Sequence, residues 1–122
     1  MTATAAVAKD GQAGGTYRLT ARVPVACWVR PTGALLASPG VGGSVMEACN
    51  APGGFTVSAT YRSLGDSEKA SLRYAGRTID LSRDGEQVLR RSNMATIRSV
   101  DYQFEDVELS APLVLSLTIQ PI

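Results

Sequence analysis

Phe55-Thr56-Val57-Ser58-Ala59-Thr60-Tyr61-Arg62 alternates apolar and polar residues without a break, directly after the turn-forming run Asn50, Ala51, Pro52, Gly53 and Gly54. A period of two sends Phe55, Val57, Ala59 and Tyr61 to one face and the polar residues to the other, as in a strand with one face on a core. The turn before it predicts a hairpin with a strand over 44–49. In that partner Val45 and Cys49 share a face with Glu47, so a carboxylate falls near the core and needs either exposure or an arginine partner.

Working outward toward the amino terminus, Tyr17, Leu19, Ala21, Val23, Val25, Cys27 and Val29 alternate with Arg18, Thr20, Arg22, Pro24, Ala26, Trp28 and Arg30. This predicts a long first strand over 17–30 with Cys27 facing the core. Pro24 cannot donate to a ladder, which makes this an edge strand or one that switches sheets. Residues 31–43 are rich in Pro, Gly and Ser around Leu35 and Leu36, and read as a loop or weak strand. Residues 1–15 are small, polar and Gly-rich, a flexible arm ahead of a single domain over 16–122.

Toward the carboxyl terminus, residues 63–70 predict one helical or 3₁₀ turn capped by Asp or Ser. Short strands follow at 71–74 and 77–81 about Ala75 and Gly76, and Asp84 with Gly85 turns the chain into a strand over 87–90. The pattern at 94–104 shifts its inward face partway, predicting a bulge near Arg98 or Ser99. Leu113, Leu115, Leu117 and Ile119 then alternate cleanly through the last strand. Strands of this number and spacing predict an all-β fold, an immunoglobulin-like antiparallel β-sandwich of seven or eight strands with one disulfide, a closed barrel being the alternative.

The 122 residues include 12 basic and 11 acidic side chains, a formal charge of +1. So balanced a chain has no field for holding nucleic acid or an anionic membrane surface. No apolar run has the length of a spanning helix. The first residues have neither the basic start nor the apolar middle of a signal peptide, and suit a chain whose leader has been replaced. Two cysteines can form a bridge, two buried thiols or half a metal site, and there is no histidine to complete a metal set. A bridge is the preferred reading; at a separation of 22 positions it closes a loop worth roughly 3 kcal/mol and points to periplasm, cell surface or the extracellular space.

The absence of histidine also removes the commonest general base, and no enzyme is expected. Gly65, Asp66 and Ser67 spell the start of a lipase-type signature without its later Asp-x-x-His. Glu47, Glu105, Asp106 and Glu108 read as solvated charge rather than a catalytic pair, Glu105 and Asp106 falling in a turn and Glu108 on an adjoining strand. No cofactor and no metal is implied. The residues offered as a contact surface are Trp28 with Arg30, on the outer face of the first strand, and the pair Arg90 and Arg91, with Arg83 nearby. The bland alternatives are a Trp28 packed under the loop at 31–43 and arginines that simply face water.

Val25-Ala26-Cys27-Trp28-Val29, the Gly-rich run to Gly42-Gly43-Ser44-Val45, Glu47-Ala48-Cys49-Asn50 and Phe55-Thr56-Val57 together resemble bacterial pilin subunits, nearest the spore coat protein U-like subunits of archaic chaperone-usher pili. The resemblance covers about a third of the chain. It implies a Cys27–Cys49 bridge at one end of an immunoglobulin-like fold, an apolar last strand at 113–119 and no catalytic residues. It also implies assembly by strand addition, in which a neighbour's amino-terminal extension fills the place of a missing strand, with other copies of the chain or a periplasmic chaperone as partners. Two features differ from such subunits. The arm at 2–15 offers Val7 as its single large side chain, and the last strand lacks the usual Gly-x-Tyr approach. Both favour a terminal subunit or a self-complete secreted adhesion or carbohydrate- or protein-binding module.

Overall fold

The stretch that opens on Phe55 forms a central strand of a two-sheet antiparallel sandwich in the computed structural model, which describes residues 23–31 and 35–122. Nine strands are present among them: β1 (Cys27–Arg30), β2 (Leu35–Leu36), β3 (Gly42–Cys49), β4 (Phe55–Thr60), β5 (Lys69–Tyr74), β6 (Arg77–Asp80), β7 (Glu86–Ser92), β8 (Thr96–Glu108) and β9 (Val114–Pro121). One sheet has the order β1-β3-β8-β5-β6 and the other β2-β9-β4-β7. The ninth strand, beyond the seven or eight expected, is the short apolar island β2, whose Leu35 is buried.

An immunoglobulin-type sandwich sets strands A, B, E and D in one sheet and C, F and G in the other. β1, β3, β8 and β5 follow the order A-B-E-D, and β4 and β9 the order C-F. Beside β9, where G stands in that scheme, lies β2, only two residues long.

Inward residues from both sheets make one core: Val29, Val45, Leu72, Tyr74, Val100 and Phe104 face Phe55, Val57, Ala59, Leu113, Leu115 and Leu117. Full burial of a Val, Leu or Phe side chain is worth about 1.5–3 kcal/mol, so this interlayer dominates the favourable side of folding. The Cys27–Cys49 disulfide joins directly paired positions of β1 and β3, tying the edge strand to the sheet.

Several local expectations change. β3 and β4 do not form a hairpin; the turn at 50–54 carries the chain from one sheet to the other. A turn can reverse direction within a sheet or between sheets with the same residues, and the alternation on either side is identical in the two cases. The strand expected over 17–30 begins at Cys27 in the described part, where Val23 and Val25 are 76% and 53% exposed; residues 17–22 and the arm at 1–15 lie outside the described residues. Instead of a ladder, the Asn50 side chain ties this segment down, accepting from the Ala26 N–H and donating to the Pro24 carbonyl. β1 is an edge strand among the described residues, the first of the two readings drawn from Pro24.

Residues 63–70 form no helix: 65–68 make a β-turn closed by Glu68 N–H to Gly65 O at 3.1 Å, and Lys69 and Ala70 already open β5. The bulge expected near Arg98 or Ser99 is displaced: β3 and β8 pair in continuous register there, and the extra residue of β8 lies between Phe104 and Val107. Glu105, Asp106 and Glu108 are therefore strand residues of β8 rather than parts of a turn and a neighbouring strand. The hairpin of β5 and β6 is formed as expected, with Ala75 and Gly76 both at positive φ.

Candidate functional site

β9 runs antiparallel to β4 over Ser116 to Pro121, while β2 covers its other edge only at Val114 and Leu115. The direction of its backbone groups follows from two flanking bonds: Ile122 N–H donates to Gly54 O on the β4 side, and Leu113 O accepts from Ala37 N–H on the β2 side. In an antiparallel strand alternate residues share a side. Leu117 and Ile119 thus turn their N–H and C=O groups to the outer edge, which has no partner strand there among the described residues. Pro121 next to them brings no N–H.

Between the sheets the carboxylate of Glu47 is wholly buried, against its reading as solvated charge, because its place on the core face of β3 comes with hydrogen-bond partners. Arg90 Nε donates to its Oε1 at 2.8 Å, with Arg90 Nη2 also 2.6 Å from that oxygen, and the Tyr74 hydroxyl donates to its Oε2 at 2.5 Å. Arg90 reaches inward from β7 and lies over the Phe55 ring at 5.5 Å. The carboxylate on the core face of β3 has the arginine partner its position calls for, and Arg90 is committed to it. Burial, then the facing Glu47 oxygen, drive the Tyr74 hydroxyl well above its ordinary pKa, which keeps it a donor.

Outside this group, the turn from β7 to β8 opens a cleft of about 510 Å³ lined by Arg90, Arg91, Ser92, Asn93, Met94, Thr96 and Arg98. Its lining holds three guanidinium groups and no carboxylate. Arg91 has no carboxylate partner among the described residues, and neither has Arg98. Arg98, read in the sequence only as the place of a bulge, shares the period of Val100, Tyr102 and Phe104 and stands directly opposite Glu47 in the ladder.

Trp28 and Arg30 are placed where the alternation puts them, on the outer face of β1. The Trp28 ring is 41% exposed and the Arg30 guanidinium lies 5.0 Å from its centroid. Met46 and Ile97 are exposed on the same outer face, and Ala48 between Trp28 and Ile97 is covered. This patch shares no residue with the lining of the arginine cleft.

Arg83, read near the paired arginines, instead holds the turn at residue 66 by donating to the Gly65 carbonyl and Asp66. The same turn is fastened by Glu68, which receives Arg62 through both oxygens and the N–H groups of Gly65 and Ser110. Those bonds, Arg62 first, hold the Glu68 carboxyl far below the usual carboxylate range. Gly65, Asp66 and Ser67 thus build a structural turn. Comparison of the chain with protein-family models, with curated proteins and with solved structures returned no match.

Proposed function

We propose that the chain is an exported structural subunit of a surface appendage or cell-surface assembly, whose second sheet is completed by an extended segment of another copy. The observation that carries this reading is the outer edge of β9, where Leu117 and Ile119 offer backbone donors and acceptors without a partner strand among the described residues. An open edge beside an apolar interior is a template for strand addition, with main-chain bonds giving affinity and alternate side chains giving specificity.

Residues 17–23 supply a matching segment in sequence: Tyr17, Leu19, Ala21 and Val23 are spaced to point the same way in a strand, and Tyr17 and Leu19 are larger apolar side chains than Val7 of the arm. Val23 and Val25, at the end of that alternation, contribute nothing to this domain's own core. The disulfide is compatible with export to the periplasm or cell surface, and no helix among the described residues is long and apolar enough to cross a membrane. A periplasmic chaperone that lends a strand before assembly fits the same edge.

Sedimentation under non-reducing conditions tests the reading, comparing the full chain with one lacking residues 1–22. The expected result is concentration-dependent assembly of the full chain, and a truncated chain that stays unassembled but binds one equivalent of a synthetic peptide of residues 16–25. Two identical stable monomers, neither binding the peptide, would contradict it. That outcome would favour a self-complete adhesion or carbohydrate-binding module, for which the exposed Trp28 ring against Arg30 is the supporting observation; its ligand would quench Trp28 fluorescence.

A further inference from the structure

The cleft at the turn between β7 and β8 concentrates positive charge that the fold does not consume. Of its three arginines, Arg90 is neutralised by Glu47 at 2.6 Å. Arg98 stands opposite the same Glu47 in the β3–β8 ladder, yet the two oxygens of that carboxylate are already engaged by Arg90 and Tyr74. Arg91, exposed at the rim, has no acidic neighbour in the lining either. Two guanidinium groups without a carboxylate partner among the described residues therefore line one concavity, which raises the local concentration of anions, and the planar donor fork of each guanidinium can take two oxygens of a carboxylate or sulfate.

The remaining lining suits something larger than a free ion. The volume of about 510 Å³ lies in the range of cavities that take organic ligands. The Asn93 and Thr96 side chains make no hydrogen bond among the described residues and are free to meet hydroxyl groups, while the exposed Met94 offers an apolar wall. The turn itself is held, because the Ser92 hydroxyl donates to Met94 O and accepts from Met94 N–H. A sugar ring carries hydroxyl groups at its rim and C–H groups on its faces, and an acidic sugar adds the carboxylate or sulfate that the arginines lack.

We propose that this cleft binds an acidic sugar unit, with Arg91 and Arg98 holding its carboxylate or sulfate and Asn93 and Thr96 its hydroxyl groups. The inference rests on the cleft alone and not on strand exchange. Calorimetric titration of the full chain tests it with three probes: a disaccharide of glucuronate and N-acetylglucosamine, the neutral disaccharide of N-acetylglucosamine, and inorganic sulfate. The acidic disaccharide is expected to bind at least about tenfold more tightly than the other two, and Arg91→Gln and Arg98→Gln each to weaken it by about tenfold or more, as loss of a charged hydrogen bond would. Lys69→Gln, which removes an exposed charge on β5, should leave binding within about twofold of the parent. Thermal unfolding of both arginine variants should match the parent, since neither side chain has a buried partner. Equal binding of the neutral disaccharide, sulfate binding as tight as the acidic one, unchanged binding in the arginine variants, or no binding of any probe would each overturn the proposal.

Discussion

Glu47 and Arg90 hold their buried places only as a pair, because either one left alone would be an uncompensated charge in the core. A buried carboxylate left without its cation costs about 3–5 kcal/mol, whereas exchanging the whole group for apolar residues of similar volume is often close to neutral. Arg90→Met is accordingly expected to lower unfolding free energy by about 3–5 kcal/mol in urea titrations, and the triple change Glu47→Leu, Tyr74→Phe, Arg90→Met to recover most of it. A single change no costlier than an ordinary surface substitution would remove Glu47 from this role. A second residue-scale expectation concerns alkaline pH. Burial, followed by the nearby Asp84 charge, pushes the Tyr61 hydroxyl up from 10.0 to about 12, and Tyr74 moves in the same direction. An acid whose pKa is raised by folding contributes stability that is complete below the unfolded value of about 10 and is lost as pH rises through the folded value. Stability should fall between pH 10 and 12 by more in the parent than in Tyr61→Phe, the difference being up to about 2 kcal/mol.

At the scale of elements, the passage from β3 to β4 separates what alternation can tell from what it cannot. Gly54 closes that passage at φ 95°, and a Cβ there would lie 2.0 Å from the Ser92 carbonyl oxygen, which belongs to β7 beside it. Gly54→Ala should therefore destabilise by at least about 2 kcal/mol, read as a lower midpoint of thermal unfolding, because both the backbone conformation and the space are wrong for a side chain. The strands on either side of Gly54 were legible from their period of two, as were the Ala75-Gly76 hairpin and the last strand. That β3 and β4 belong to different sheets was not, since a core-facing residue obeys the same alternation whichever sheet it is in. The strand expected from Tyr17 fails at Val23 and Val25 for a related reason: alternation records that a segment can cover an apolar surface, without recording whose. The turn at 63–70 looked helical because Asp66, Ser67, Glu68 and Lys69 disfavour strand, yet Glu68 spends its side chain on the Gly65 and Ser110 N–H groups and on Arg62, which fixes a tight turn instead. Of the site residues, Trp28, Arg30 and Arg91 stand exposed as read; Arg90 turns inward, and Arg98 is brought beside it only by the ladder between β3 and β8.

The molecule as a whole is a sandwich with unequal edges. Its first sheet is bounded by β1, riveted to β3 by the Cys27–Cys49 bridge, and by the β5–β6 hairpin. In its second sheet, beyond the two residues of β9 that β2 covers, Leu117 and Ile119 turn backbone groups outward that pair with no strand among the described residues. An unpaired strand edge is a template for another strand, and in the proposed function that place falls to the alternating residues at 17–23 of a second copy. The most direct measurement of that claim is backbone hydrogen exchange, resolved by residue, at Leu117 and Ile119 in the chain lacking residues 1–22, with and without the peptide of residues 16–25. Rapid exchange is expected at these two amides without the peptide and slow exchange with it, while Thr118 and Gln120, whose amides face β4, stay protected throughout. Leu117 and Ile119 amides already protected without the peptide, or no slower in its presence, would contradict the open edge or its occupant.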